Sequence, residues 1–361
     1  MNNFAAYGFT EIPFPIVPEQ ATKHWAGREE LREKLIDIIE SPRHSDVGLS
    51  EFVVLHGTYG AGKSHALRYL KNYIEKHKDN YRAQAVYIES IRIEDRITFL
   101  AIYKEIIRQL GGEYIQNVAK LVNNHIKLKE AESIKDKKND DVLSKFDQEL
   151  RGMLEQLRGI ADGNNDPMDI LLTKVKSDFE AARKLGAFFK CMQQCTDENE
   201  RPLTEANYLF LDEVEATTEV KVVESQALFN ALLQLVNQMP QNFCLICSFS
   251  GDTALLEAVV NEALLQRMSR DYIEVPDLEM EEAKEFLATL FEAYRPENFE
   301  HANRFHPFSE QTIDYVLDRT LPMTPRAIFK GLRRVLDRSV KRNNLQPGEE
   351  IQKDDAEDIL S

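Results

Sequence analysis

A glycine-rich octapeptide, GTYGAGKS at residues 57–64, constrains the fold of this chain more than any other feature. It follows a short apolar run, EFVVLH (51–56), and precedes a helical pattern from Lys63 to about Lys76. Glycines let the backbone curl into a nest of N–H groups, and the positive end of the following helix points at the same place. The pattern G-x-x-x-x-G-K-[ST] with both flanks therefore predicts a buried strand, a phosphate-binding loop and a helix.

The octapeptide combines a backbone cradle with two side chains that can bind a nucleotide and its metal ion. We predict that Lys63 reaches the β- and γ-phosphates of a nucleotide and that Ser64 holds Mg²⁺. The predicted nucleotide contacts are Gly57, Thr58, Tyr59, Gly60, Ala61, Gly62, Lys63, Ser64 and His65.

A second apolar run, YLFLDE at 208–213, ends in two acids. Asp212 falls at the carboxyl end of a predicted central strand, where ligands bind in open α/β sheets, so we predict that it holds the water shell of Mg²⁺. Glu213 is placed to polarise a water against the γ-phosphate. The pair therefore favours hydrolysis of the nucleotide over mere binding.

Strand-like runs alternate with helical patterns along the chain, which predicts an α/β fold with a parallel sheet. Residues 113–206 contain no good strand pattern and are highly charged, so we predict a helical insertion there. The chain is again helical after Pro276. The remaining predicted elements are a helix over Ala26 to Ile39 that ends at Pro42, strands at 85–90 and 243–250, and helices through 99–110 and 228–235.

The net charge of −16, from 45 basic and 61 acidic residues, argues against a protein that binds nucleic acid over its whole surface. The acid is concentrated in residues 207–361, which hold 28 acidic and 15 basic side chains. One helical stripe in this segment is basic, and it is either a solvated face beside an acidic neighbour or a contact to a DNA backbone. The predicted DNA contacts are Lys330, Arg333, Arg334 and Arg338.

The cysteine content and hydropathy bear on the compartment. Four cysteines in 361 residues are too few for a disulfide framework, and no apolar run is long enough to span a membrane. We therefore expect a cytoplasmic protein without a membrane partner. Cys244 and Cys247 point to opposite faces of a predicted strand, and the eight histidines show no ligand spacing, so we predict no zinc site.

These motifs together resemble the AAA+ ATPases, and within them the initiator-like group of origin-recognition proteins. The resemblance runs from the first residues to about residue 342, with gaps at the insertion. The residues Gly27, Arg28, Glu29 and Leu31 resemble a G-R-E-x-x-L element that borders the adenine in that group.

The resemblance implies ATP with Mg²⁺, an ATPase activity and a parallel-sheet P-loop AAA+ core with a helical insertion and a C-terminal α-helical lid. It divides the chain into a lead-in bordering the adenine (1–50), the core (51–276) and the lid (277–361). Origin-recognition proteins usually carry a winged-helix domain beyond the lid. This sequence stops at Ser361, so we do not expect sequence-specific DNA reading by such a domain.

Three further site positions are implied by the same resemblance. Ser250, or less favourably Ser248, resembles the sensor 1 residue at the end of a strand. The segment LLQRMSRDYIEVPDL resembles one that presents an arginine finger to a neighbouring subunit, with Arg267 our first choice and Arg270 our second. Such an arginine makes oligomerisation part of the mechanism. Arg326, in TPRAIFKGLRRVL, resembles the arginine of the lid helix that senses nucleotide.

Two hypotheses for the function follow. The first is an ATP-driven switch that forms homo-oligomers through shared ATP sites and acts in a DNA-related process, such as replication initiation, transposition targeting or anti-phage defence; this process rests on the resemblance alone. The alternative is a nucleotide-gated protein–protein signalling scaffold that assembles an effector without binding DNA. In either case residues 113–206 are the predicted docking element for a protein partner.

Overall fold

Five strands form one sheet in the order β2-β3-β4-β1-β5. They are β1 (Glu51–Gly57), β2 (Ala83–Ile88), β3 (Ala206–Leu211), β4 (Phe243–Ser250) and β5 (Ile273–Glu274). The ladders of β3 with β2 and with β4 are parallel, and Leu209 pairs with Val86 on one side and Leu245 on the other. Every residue of β3 and β4 is buried, as expected for central parallel strands. The parallel α/β fold is therefore confirmed.

The computed structural model describes residues 3–14, 24–44, 50–77, 82–135, 141–163, 166–173, 175–260, 262–268, 272–342 and 345–361. The α-helices of these residues are α1 (Glu29–His44), α2 (Lys63–Lys76), α3 (Phe99–Lys135), α4 (Gln148–Ala161), α5 (Pro167–Leu172), α6 (Asp178–Gln194), α7 (Val222–Gln238), α8 (Thr253–Val259), α9 (Glu262–Leu265), α10 (Met280–Ala293), α11 (Glu310–Asp318), α12 (Pro325–Arg342) and α13 (Lys353–Leu360). Within these ranges no helix is both long enough and apolar enough to cross a bilayer.

Two predicted element boundaries differ from the structure. Helix α1 begins at Glu29 rather than Ala26, because Gly27 (φ +63°) and Arg28 (φ +52°) have left-handed backbones that cannot join a helix. It also continues past Pro42 to His44. The two-residue strand β5 was not predicted, because so short a segment carries no readable period.

The chain divides into two compact units. Unit 1 comprises Met1–Ile36, His56–Asn72 and Glu274–Ser361, and unit 2 comprises Asp37–Leu55 and Tyr73–Ile273. Each unit has its own hydrophobic core.

The core of unit 1 joins the start of the chain to its last helices. Phe9 and Phe14, within the predicted lead-in (1–50), are almost fully buried. Both rings meet Phe291 of α10 edge to face, with centroids 5.2 and 5.7 Å away. Aromatic pairs in this geometry add to the free energy gained by burial. The lead-in therefore contributes to the packing of the helical segment that follows Glu274.

In unit 2 the predicted insertion shares one core with the sheet. Helix α3 breaks at Gly111 (φ +76°, ψ 155°), next to the predicted start of the insertion at residue 113. Beyond the break, Ile115 of α3, Leu154 of α4 and Phe188 of α6 belong to the same buried cluster as Leu209 of β3. The insertion is helical as predicted, and it extends the core of unit 2.

Candidate functional site

The glycine loop lies in unit 1, between β1 and α2, and its backbone leaves no room for side chains at two positions. A Cβ on Gly57 would lie 2.4 Å from the carbonyl oxygen of Val275. Gly60 has φ +85°, and a Cβ there would lie 2.8 Å from the Cβ of Arg326. Only glycine tolerates such a close approach and such a backbone at low cost. The loop therefore has the bare backbone that a phosphate cradle needs.

Lys63 and Ser64 lie in the first turn of α2. The Lys63 side chain is almost fully buried, and its Nζ donates to the carbonyl oxygens of Gly57 (2.9 Å) and Thr58 (2.8 Å). The ammonium is thus held against the loop itself, at a helix end whose dipole favours anions. An ammonium, a hydroxyl and the N–H groups of a helix start are the donors that a nucleotide phosphate with Mg²⁺ requires.

Arg28 joins the loop to the segment that follows β5. Its Nη1 donates to the Ala61 carbonyl at 2.6 Å, and its Nη2 donates to the carbonyl of Pro276. Burial lowers the pKa of Arg28, while the carboxylates of Glu282 and Asp277 act in the opposite direction. The sequence placed this residue in the adenine-bordering element, and the structure places its guanidinium on the loop.

The same element brings aromatic side chains to α2. Trp25 lies with its ring 5.8 Å from His65 and 5.0 Å from Tyr69. His65 Nε2 is 3.0 Å from the His24 carbonyl oxygen, and Arg32 Nε donates to the Tyr69 hydroxyl at 2.8 Å. These contacts hold residues 24–32 against the helix that carries Lys63.

The predicted lid arginine also lies at the loop. Arg326 is in the first turn of α12, and its backbone N–H donates to the Gly60 carbonyl at 3.4 Å. Its side chain is exposed, and no described carboxylate lies within ion-pair distance of it. Thr58 of the loop donates through its hydroxyl to Asp277. Unit 1 therefore contains a loop whose surroundings come from three distant parts of the sequence.

Asp212 lies in unit 2, directly after β3, and is 2% exposed. Its Oδ2 accepts a hydrogen bond from the Tyr87 hydroxyl at 2.7 Å. Its Oδ1 accepts one from the Ser248 hydroxyl and one from the Glu213 backbone N–H at 3.0 Å. Three donors compensate for the burial of the carboxylate and fix its orientation.

Glu213 contrasts with its neighbour because its side chain is exposed. Its backbone is left-handed, with φ 56° and ψ 40°. This conformation is costly for a residue with a Cβ and is often found at functional sites. The turn directs Glu213 away from the path of the strand and leaves its carboxylate in solvent.

The two serines at the end of β4 have different partners. Ser248 donates to Asp212, whereas Ser250 uses its backbone N–H to donate to Glu215 at 3.0 Å. Both are predicted for the sensor 1 position, and the side-chain contact with Asp212 belongs to the less favoured one. Sequence reasoning missed Tyr87 because only the strand order brings β2 beside β3, and it missed Glu215 because only the pairing of β3 with β4 brings this residue to Ser250.

The finger candidates and the basic stripe lie in different units. In unit 2, Arg267 is exposed and has no ion-pair partner among the described residues; Arg270 lies outside them. In unit 1, the basic stripe of α12 is exposed at Lys330, Arg333 and Arg334, and Arg333 Nε is 3.9 Å from Asp337. Arg338 is instead half-buried and donates to the Ile359 carbonyl at 3.0 Å, so it serves the packing of α13.

The four cysteines are all buried. Burial raises the pKa of Cys195 and of Cys247 to about 12. These thiols are therefore protonated at neutral pH and pack as small apolar groups.

Several solved structures share this fold. The Aeropyrum pernix ORC1 protein in complex with DNA matches with a TM-score of 0.52 at 10% identity, over 96% of this chain and 68% of that chain. The Aeropyrum pernix ORC2 protein, solved as ADPNP–ADP complexes, gives 0.54 at 11% identity, over 94% and 71%. Drosophila ORC bound to DNA gives 0.50 at 11% identity, over 98% and 66%. At these identities the likeness concerns the fold alone.

No curated protein matches the sequence. The family model for the AAA ATPase domain, however, matches residues 24–246, which is more than half of the chain. This span contains the glycine loop with Lys63 and Ser64 and the acid pair Asp212 and Glu213. The chain therefore belongs to the AAA ATPase domain family.

Proposed function

We propose that this protein hydrolyses ATP with Mg²⁺ and uses the cycle as a switch between free and assembled states. The observation that carries the proposal is the contrast between the two acids of β3: Asp212 is buried and held by three donors, while Glu213 is exposed on a strained turn. A fixed buried carboxylate suits metal binding, and an exposed one suits activation of a water.

The proposed roles follow from the chemistry of each group. Lys63 binds the β- and γ-phosphates, Ser64 and Asp212 hold the metal and its water shell, and Glu213 orients the attacking water. Mg²⁺ supplies neutralisation of the phosphate charge. Ser248 keeps the Asp212 carboxylate in place and shares the sensor 1 assignment with Ser250.

Nucleotide contacts also come from the glycine-loop residues 57–62, from His65 and from Arg326 at the start of α12. The side chain of Arg326 is exposed and has no ion-pair partner among the described residues, which supports a role in sensing the nucleotide. The functional division into lead-in (1–50), core (51–276) and lid (277–361) is part of the same proposal.

The direct test is ATP turnover and particle mass of Glu213→Gln. We expect the variant to bind ATP, to turn over at least about 10²-fold more slowly and to accumulate in larger assemblies. Glu224→Gln removes the same charge from an exposed position on α7 and should behave as wild type. Hydrolysis at the wild-type rate by Glu213→Gln would contradict the assigned role.

An arginine supplied by a neighbouring subunit is the proposed link between hydrolysis and assembly, with Arg267 the first candidate and Arg270 the second. Exposure of Arg267 and its lack of an ion-pair partner among the described residues support this choice. We expect Arg267→Ala to lower turnover by about 10³-fold. Mixing it with Glu213→Gln should restore activity, because some shared sites then combine an intact Glu213 with an intact Arg267. No recovery in the mixture would contradict a shared site.

DNA contact is proposed for the exposed basic residues Lys330, Arg333 and Arg334 of α12. The DNA-bound titles of two structural neighbours add support, at the level of the fold only. Binding should weaken with salt, and Lys330→Glu with Arg334→Glu should reduce it by 10-fold or more, as a rough expectation. Lys120→Glu with Lys127→Glu makes the same charge change on exposed positions of the insertion and should leave DNA binding nearly intact.

The scaffold hypothesis is supported by one observation in unit 2. Leu121 and Leu128 of α3 are 43% and 49% exposed, lie two helical turns apart and therefore share a face of the insertion. An apolar face of this kind fits a protein partner better than DNA. Absence of DNA binding at low salt, together with ATP-dependent assembly, would favour this second function.

A further inference from the structure

Two histidines and a glutamate lie close together in unit 1, and none of them has a role in the function proposed above. One ring nitrogen of His301, one of His306 and one carboxylate oxygen of Glu350 all lie within 4.8 Å of one another. Their spacing in the sequence did not predict that these three side chains would form a cluster. The loop between α10 and α11 brings the histidines to the segment that precedes α13.

Backbone and side-chain hydrogen bonds hold the two segments together. The Ile351 N–H donates to the Pro307 carbonyl at 2.7 Å, and the Ser309 N–H donates to the Ile351 carbonyl at 3.0 Å. Asn303 Nδ2 donates to Glu350 Oε1 at 2.7 Å, which leaves the second oxygen of that carboxylate for another partner. The three groups are therefore brought together by packing before any ligand arrives.

His306 carries the observation that points to a ligand. Its side chain is 2% exposed, and its Nδ1 is buried without a hydrogen-bond partner among the described residues. The rings of His301 and His306 stack with centroids 4.1 Å apart, which keeps both imidazoles beside the carboxylate. A buried ring nitrogen without a partner is costly, and a bound ion would remove that cost.

We propose that His301, His306 and Glu350 bind a divalent transition-metal ion of the Zn²⁺ class. Two imidazoles and one carboxylate are a common set of protein ligands for this ion, and a fourth position is left for water. Tetrahedral coordination places ligand atoms about 3.3 Å apart, so the cluster needs to contract only modestly. The ion would tie the loop between α10 and α11 to the segment before α13.

The protonation state of His306 agrees with this role. Burial, with the nearby His301 and Arg295, lowers the pKa of His306 to about 4, so the ring is neutral at pH 7. The Arg295 guanidinium is already engaged, because it lies 4.1 Å from the Phe299 ring centroid and donates to the Gly8 carbonyl at 3.0 Å. Its charge opposes a second cation, and the carboxylate of Glu350 offsets this repulsion.

The exposed histidine must adjust when the ion binds. The Asn303 N–H donates to Nδ1 of His301 at 3.1 Å, and metal binding at either ring nitrogen requires this bond to be given up. His301 is exposed, so water can replace the lost acceptor. His301 is therefore the ligand whose removal disturbs the fold least.

The test is a zinc titration of the full chain after removal of metal by a chelator, followed by calorimetry. We expect one Zn²⁺ per chain, and a rise in the melting midpoint that the chelator reverses. His301→Ala and Glu350→Gln should each weaken zinc binding by at least about tenfold, since even residues that only support metal ligands cost this much. His306→Ala is a poorer test because the residue is buried.

The matched control is His77→Ala, which removes a half-buried histidine from unit 2. It should bind zinc as wild type does. Titration with Co²⁺ adds a second readout, because coordination by nitrogen and oxygen ligands gives a visible absorption band that His301→Ala should lose. The proposal is overturned if the wild type binds no zinc, or if His301→Ala and Glu350→Gln bind it as tightly as wild type.

Discussion

The glycine loop of unit 1 and the acid pair of unit 2 are built in different ways. In unit 1 the glycine loop is surrounded by Arg28, Asp277 and Arg326, which come from distant parts of the chain and meet the loop through polar contacts. In unit 2 the carboxylate of Asp212 is buried and receives donors from the two strands beside its own, Tyr87 on one side and Ser248 on the other.

The two regions should therefore respond differently to substitution. Buried hydrogen bonds to a charged group contribute more to stability than exposed ones, and a lost donor leaves an uncompensated charge. Changes around Asp212 should therefore affect folding and turnover together. Changes at Arg28 or Arg326 beside the loop should affect nucleotide binding more than folding, whereas Lys63 is itself buried and hydrogen-bonded.

Lys63→Ala should show the largest effect on activity. Loss of the ammonium that we propose to bind the phosphates removes electrostatic stabilisation, and we expect turnover to fall by about 10³-fold. ATP should also fail to raise the melting midpoint, because stabilisation by a ligand requires binding. Lys76→Ala, at the exposed end of the same helix, is the control and should keep full activity. Equal turnover by Lys63→Ala and Lys76→Ala would contradict the role proposed for Lys63.

Ser248→Ala and Ser250→Ala form a matched pair that tests the surroundings of Asp212 in unit 2. We expect Ser248→Ala to lower the free energy of unfolding by about 2 kcal/mol and to slow turnover, because Asp212 loses a donor. Ser250→Ala should cost less, because the contact with Glu215 uses the backbone N–H and survives the substitution. Chemical denaturation and ATP turnover measure the two effects. A larger effect of Ser250→Ala on turnover would instead favour Ser250 as the sensor 1 residue.

Gly60→Ala tests how tightly the loop backbone is constrained. The positive φ and the close approach of Arg326 should make the substitution destabilising by about 1 to 2 kcal/mol. Gly152→Ala lies in helix α4, where an added Cβ meets nothing within 4 Å. It should stabilise the protein by about 0.5 to 1 kcal/mol, since alanine is the better helix former. Opposite signs in thermal unfolding would sharpen the contrast.

Arg28→Lys should give the smallest effect. Lysine keeps the charge but ends in a single nitrogen, so it lacks the separate Nη1 and Nη2 with which Arg28 reaches Ala61 and Pro276, and we expect one of these bonds to be lost. We expect ATP affinity to fall about fivefold, roughly the effect of one modest hydrogen bond, with little change in unfolding. Titration with a fluorescent nucleotide would measure this. A large loss of stability would show that the contacts of Arg28 with Ala61 and Pro276 matter for folding as much as for nucleotide binding.

Much of the fold could be predicted from the sequence because the patterns that indicate its strands and helices are local. The strand Glu51–Gly57, the loop and the helix Lys63–Lys76 lie at their predicted places, since apolar runs and the glycine pattern need no distant partner. The strand before Asp212 was predicted for the same reason. The start of α1 was less accurate, because the left-handed backbones of Gly27 and Arg28 depend on packing rather than on periodicity.

What the sequence determined by itself was the class of fold, the bare glycine loop and the position of two acids after a buried strand. Only the tertiary structure decided which side chains complete them. Residues 248 and 250 lie on the same face of a strand, so their spacing could not show which serine meets Asp212. Tyr87 and Asp212, like His306 and Glu350, are far apart in the chain. Their meeting depends on strand order and helix packing, which no local pattern encodes.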